Sequence, residues 1–223
     1  HDGHDEHDEH DEHDEHDGHD EHDDHDGHDD HDEHDGHDDH DEHDDHQEGV
    51  DPHVWLNPLE AIHQVRMIRE AFSDADPEGT PTYADNAEKL IRELTEIDNS
   101  FVTGLSSCRL DHIIVSHEAY GHLAERYEIE QVGLAGLSPD SDATPQRLAK
   151  VIDEINHLGV GHVLQEPIVS NKLAQAVAAE TDIAILTLHP MESMTPAELD
   201  AGATYLSIMN ENLQSLRTAL DCK

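Results

Sequence analysis

The 223-residue chain carries 55 acidic against 11 basic residues, a formal net charge of −44 with histidine neutral. Phosphate backbones and anionic membrane surfaces would be repelled by such a chain, which excludes nucleic acid as a partner and points to cations, although a saline habitat is a second source of the acidity. No apolar run reaches the length of about 18 residues that a membrane-spanning helix needs.

Residues 1–48 hold 16 of the 24 histidines and 27 of the 55 acids, without a single Lys, Arg or apolar side chain. Such a segment has nothing to bury, so it is predicted to be disordered. Histidine recurs at every third position as His1, His4, His7, His10, His13, His16, His19, His22, His25, His28, His31, His34, His37, His40, His43 and His46. In an extended backbone with three residues per turn this period aligns the imidazoles along one edge, with carboxylates beside them. Imidazole suits zinc, copper and nickel, so the tract reads as a metal collector rather than a plain spacer. The surrounding carboxylates favour protonated imidazole, and capture is expected to weaken as pH falls, because a ligand must be neutral. The chain opens inside this repeat without an initiator Met or signal peptide, and is expected to continue upstream.

The other 175 residues contain all 11 bases, four of them lysine, and 28 acids. Asp51-Pro52-His53 ends the polar tract, and Asn57-Pro58 opens a helix predicted to reach about Ala75, where Asp76-Pro77-Glu78-Gly79 stops it. From about Thr82 to Leu105 apolar residues recur at helical spacing, predicting one long amphipathic helix able to serve as a stiff spine. Beyond Cys108 short apolar runs at 112–115, 131–135, 162–164 and 183–188 alternate with helical stretches. Each helix has a start signal: Ser116, Thr144-Pro145, Ser170, and the capping box Thr195-Pro196-Ala197-Glu198. Four strand–helix units predict an α/β lobe with an open parallel sheet covered on both faces. Ligands of such sheets bind at the carboxyl ends of the strands, where His117, Glu166 and His189 all fall.

His63, His112, His122, His157 and His162 stand in ordinary surface or packing settings. His53 lies in a Pro-flanked loop beside Trp55. Ser116-His117-Glu118 suggests a zinc-protease helix, but the next histidine is His122, five residues on, which a helix rotates off the same face. Cys108 and Cys222 either form a bridge, which would support an oxidising compartment, or are two separate buried thiols.

The segment Asp51-Pro52-His53-Val54-Trp55-Leu56-Asn57-Pro58 resembles the DPHxWLDP motif of the ZnuA/TroA-like, cluster A-I metal-binding proteins of ABC importers, with Asn57 in place of the usual Asp. Ser116-His117-Glu118-Ala119-Tyr120-Gly121 is similar to that family's second motif, and Gly136-Leu137-Ser138-Pro139 to its G-(L/I)-S-P turn. Glu166-Pro167 and Lys172-Leu173-Ala174 continue the likeness over residues 49–223. The resemblance implies two α/β lobes joined by a long backbone helix, with metal held between them. Residues 49–80 would end the N-terminal lobe, most of which would lie upstream; 81–107 would be the linker helix and 108–223 the C-terminal lobe. His53 and His117 would be the second and third metal ligands, the first lying before the histidine-rich segment. The fourth, usually acidic, falls at His189, where an imidazole favours zinc over manganese. Glu118 and Glu166 would support these ligands.

The function these features imply is an extracytoplasmic, monomeric zinc receptor without catalysis, passing its ion to the membrane permease of an ABC importer. The alternatives are a manganese or iron receptor of the same family, and a surface adhesin or metal buffer. A metal-dependent hydrolase would need an open coordination position and a positioned base, for which Glu118 or Glu166 is the candidate.

Overall fold

The computed structural model describes residues 50–138, 144–168, 170 and 172–223. The histidine tract, His1 to His46, lies outside the described residues, as do Pro139 of the G-(L/I)-S-P turn and Asn171.

Helix α1 (Pro58–Ala75) starts at Asn57, whose side-chain oxygen accepts from the Leu59 N–H, so Asn caps here as Asp would. A single 3-10 turn, Pro77–Gly79, separates it from α2 (Thr80–Leu105), 26 residues or about 39 Å long. Just past its midpoint α2 packs Leu94 against Ala61 and Ile62 of α1, and further along it buries Ile97 and Phe101 in the following lobe. One helix therefore belongs to two cores, which is what a spine requires.

The lobe itself is a parallel sheet of β1 (His112–Val115), β2 (Glu130–Gly133), β3 (His162–Gln165) and β4 (Ala184–Thr187), in the order β2-β1-β3-β4. Between them run α3 (Gly121–Tyr127), α4 (Pro145–Leu158) and α5 (Lys172–Thr181); α6 (Pro196–Asp200) and α7 (Tyr205–Ala219) follow. Side chains alternate across the sheet as the pleat dictates. Ile113, Val115 and Leu164 face α2, α3 and α7 through Phe101, Leu123, Met209 and Leu216. Ile114 and Val163 face α4 and α5 through Val151, Ile155, Ala174 and Val177. Both faces are covered, as expected of a parallel sheet.

Gly159 ends α4 in the left-handed region at φ 65°, where a residue with a Cβ would be strained. A buried Asp98 on α2 accepts two hydrogen bonds from Arg126, both 3.0 Å, and one from the Tyr127 hydroxyl, locking the spine to α3. Burial and the Asp98 charge push the Tyr127 hydroxyl far up, so it stays a neutral donor. The two cysteines are bridged, tying the end of α2 to the chain's last turn across 114 residues.

Two expectations need correction. Ser116 does not open a helix: α3 begins five residues later, at Gly121, because the backbone of 118–120 makes other bonds. Glu118 N–H donates to Gly136 O and Tyr120 N–H to the Gln131 side chain. The second strand runs Glu130–Gly133 rather than 131–135; Leu134 and Ala135 still bond to Val115 and Ser116, but beyond the ladder.

Candidate metal centre

The strand order reverses between β1 and β3, and crevices of this kind open at the carboxyl ends of such a pair. His117 follows β1 and Glu166 follows β3. Their side chains meet there, His117 Nδ1 lying 2.5 Å from Glu166 Oε1, and both residues are buried. His53 arrives from outside the lobe, on the turn preceding the 3-10 segment Val54–Leu56, and its ring lies 5.4 Å from that of His117.

Each imidazole is oriented by a carboxylate. Asp51 Oδ1 accepts from the His53 backbone N–H at 2.9 Å and from its Nδ1 at 2.7 Å. An ionised carboxylate only accepts, so Nδ1 carries a proton in both rings, and in the neutral imidazole it is Nε2 that holds the lone pair. Gly121 makes room for this arrangement, since a Cβ there would come within 2.7 Å of Asp51 Oδ2.

The third group is Glu192, on the loop after β4. Its Oε1 lies 3.0 Å from His53 Nε2 and 3.9 Å from His117 Nε2. His53, His117 and Glu192 offer ligand atoms all within 4.8 Å of one another, and are the one such group among the described residues. Ligands about 2.0 to 2.1 Å from a tetrahedral zinc sit roughly 3.3 Å apart, a value the two measured separations straddle. The buried His117 Nε2 has no hydrogen-bond partner among the described residues, and His53 Nε2 meets the Glu192 carboxylate at 3.0 Å. Such a cluster calls for a cation.

The sequence-level candidates divide accordingly. His53 and His117 come together, and Glu166 supports His117 directly. Glu118 turns away, accepting from Arg147 of α4, which also donates to Gly133 O. His189 is buried but faces elsewhere: its Nδ1 accepts the Met191 N–H at 2.8 Å, and its Nε2 lies 3.4 Å from Glu198 Oε1. It therefore presents an N–H where the other two histidines present a lone pair. Sequence reasoning passed over Glu192, three residues further on, and Asp51; the signal available for Asp51 was its place two residues before His53.

Hydrogen bonds knit the two sides of the cluster. Trp55 Nε1 donates to Pro190 O at 2.8 Å, and the Tyr205 hydroxyl to Trp55 O at 2.7 Å. The Tyr120 hydroxyl donates to Leu188 O at 2.8 Å; burial, then the Glu166 and Glu192 charges, raise its pKa well above the usual value and keep it a donor.

The family described as "Zinc-uptake complex component A periplasmic" (ZnuA) matches residues 1–219. The chain is 34% identical over 171 residues to the zinc-binding lipoprotein AdcA of Streptococcus pneumoniae, a match covering 77% of this chain and 34% of that protein. Among solved structures, the Zn(II)-bound ZnuA-like domain of Streptococcus pneumoniae AdcA has a TM-score of 0.67 at 33% identity, with 77% of this chain and 64% of that one covered. The laminin-binding protein Lmb of Streptococcus agalactiae, described as bifunctional with adhesin and metal-transporting activity, gives 0.71 at 26% identity, covering 76% and 65%. The chain thus spans about a third of AdcA and just under two thirds of either solved chain. With the match running over almost the whole sequence, and the fold agreeing with that of the solved relatives, this chain belongs to the ZnuA family of zinc-uptake complex components.

Proposed function

We propose that this chain is the zinc-holding part of an extracytoplasmic receptor that hands its ion to the permease of an ABC importer. His53 and His117 bind through Nε2, and Glu192 supplies the carboxylate. Asp51 and Glu166 fix the two tautomers, the carboxylate–histidine–metal arrangement that raises ligand basicity. One observation carries the reading: three acceptor atoms of these residues converge within 4.8 Å at a sheet's switch point. Two imidazoles and one carboxylate form a set zinc accepts, and leave one tetrahedral corner for a further ligand. Harder, oxygen-seeking ions such as manganese gain less from it. The likeness to relatives described as zinc-binding supports a receptor rather than an enzyme.

The histidine tract, His1 to His46, would collect zinc on the segment of chain that ends seven residues before His53. The likeness to Lmb favours a second reading, a surface protein that binds a host macromolecule as well as metal.

Calorimetric titration with zinc and manganese, with and without residues 1–46, tests the proposal. One tight zinc site should survive removal of the tract and disappear in His117→Ala, while several weaker sites go with the tract. Loss of all zinc binding on removing the tract would reject the cleft as the metal module.

A further inference from the structure

The loop that carries Glu192 has a backbone that does not form by itself. Met191 sits at φ 59°, the left-handed region that residues with a Cβ rarely adopt. Such conformations persist when surrounding bonds over-determine them, and they concentrate at ligand sites. His189 makes those bonds here. Asn212 on α7 grips its backbone from both sides, Oδ1 accepting from His189 N–H and Nδ2 donating to His189 O, each at 2.8 Å. The side chain then turns back, and Nδ1 accepts the N–H of Met191 two residues on, also at 2.8 Å. This is the geometry by which an Asn or Asp side chain closes a turn on its own backbone. Pro190, between the two, has no N–H to compete and a restricted φ.

We propose that His189 is a positioning residue: its Nδ1 lone pair, with Asn212 holding its backbone, pins Met191 in the left-handed conformation and so aims Glu192 at His53 and His117. The ring contributes an acceptor at one point in space, and any side chain with an oxygen there serves. The assignment rests on the reading of Glu192 as a ligand, but the turn itself is a property of the metal-free chain and can be followed separately.

The test compares His189→Leu with His189→Asn in the full chain. Two readouts are needed: Met191 amide hydrogen exchange in chelator-treated protein, and zinc affinity by chelator competition, compared among variants that share the same histidine tract. His189→Leu should speed Met191 exchange roughly tenfold, as loss of one buried hydrogen bond does, and weaken zinc binding about 10- to 100-fold, as loss of outer-shell partners does. His189→Asn should stay within about threefold of the parent on both, because its amide oxygen replaces Nδ1. Asn212→Ala, which leaves the imidazole intact, should shift both in the same direction as His189→Leu, and decides the matter if the leucine variant does not fold. Unchanged Met191 exchange in His189→Leu or Asn212→Ala would overturn the proposal. So would His189→Asn losing as much zinc affinity as His189→Leu, since the ring would then be acting as a ligand. Glu192→Gln separates the two readings: unchanged zinc affinity there would reject Glu192 as a ligand, while the effect of His189→Leu on Met191 exchange would stand.

Discussion

The His53 ring and backbone are held by a neighbour two residues away, whereas the loop bearing Glu192 adds to its own His189–Met191 bond anchors far away in sequence. Asp51, two positions away, binds His53 at both backbone and ring, and the His53 carbonyl accepts from the Leu56 N–H as the first bond of the 3-10 turn that follows. Residues 188–190 are instead fixed by Asn212, Tyr120 and Trp55, at sequence separations of 23, 68 and 135. The difference teaches that one side of the cluster can form with its local turn, while the other exists only once α7 and the segment around Trp55 have docked. Six substitutions probe that contrast.

The largest effect is expected at the bridge between Cys108 and Cys222. It lies just past α7, the helix that carries Asn212. Cys222→Ser should cost about 4 to 5 kcal/mol in the chain-entropy account of a loop this long, read from urea unfolding. A reductant should reproduce the loss in the parent chain and leave the variant unaffected.

Next comes the pair of carboxylates. Glu166→Gln and Asp51→Asn each keep an acceptor but remove its charge, and should weaken zinc binding about 10- to 100-fold by chelator competition. The larger loss is expected at Glu166, which is 3% exposed, because solvent screens a buried charge less. An equal loss at both would mean that burial does not distinguish the two sides.

Trp55→Phe removes the indole N–H that joins the two sides while keeping an aromatic ring beside His53. Loss of one hydrogen bond, about 1 kcal/mol, corresponds to a roughly fivefold loss of zinc affinity. No loss would mean that the sides hold their places independently.

The smallest effect belongs to the helix that follows the Glu192 loop. Thr195 and Glu198 form a capping box at the start of α6, and Thr195→Ala should cost about 1 kcal/mol by thermal unfolding. The Thr195 backbone N–H and hydroxyl, with a smaller contribution from His189, hold the Glu198 carboxyl below the usual range. A lowered folded-state pKa adds stability that is complete above the unfolded value and is lost as pH falls through the folded one. Glu198→Gln should therefore lose that contribution at neutral pH and converge with the parent in acid, which flattens the acid end of the pH–stability curve.

Much of the architecture was legible because it is encoded locally. Apolar periodicity marks α2, Asn57-Pro58 marks the start of α1, and the Thr195 box marks α6, since caps and helical faces involve residues three or four apart. Alternating short apolar runs and helices specify a parallel sheet, because parallel strands need crossovers. Local signals misled at Ser116, where a plausible cap is overruled by bonds to Gly136 and Gln131 across the lobe.

By itself, the sequence determined most of the helices and the parallel sheet, and through its family motifs it nominated His53 and His117. Only the tertiary structure decided which way each imidazole faces. Asp51 and Glu166 turn the Nε2 edges of two rings toward Glu192, while Met191 takes the Nδ1 of His189 and leaves its Nε2 3.4 Å from Glu198. Glu192 is one of 55 acidic residues in the sequence and becomes distinct only where folding sets it against two histidines. The physical reason is the same in each case: composition and periodicity record which groups a chain owns, but a coordinating lone pair is aimed by hydrogen bonds from residues that sequence order keeps far apart.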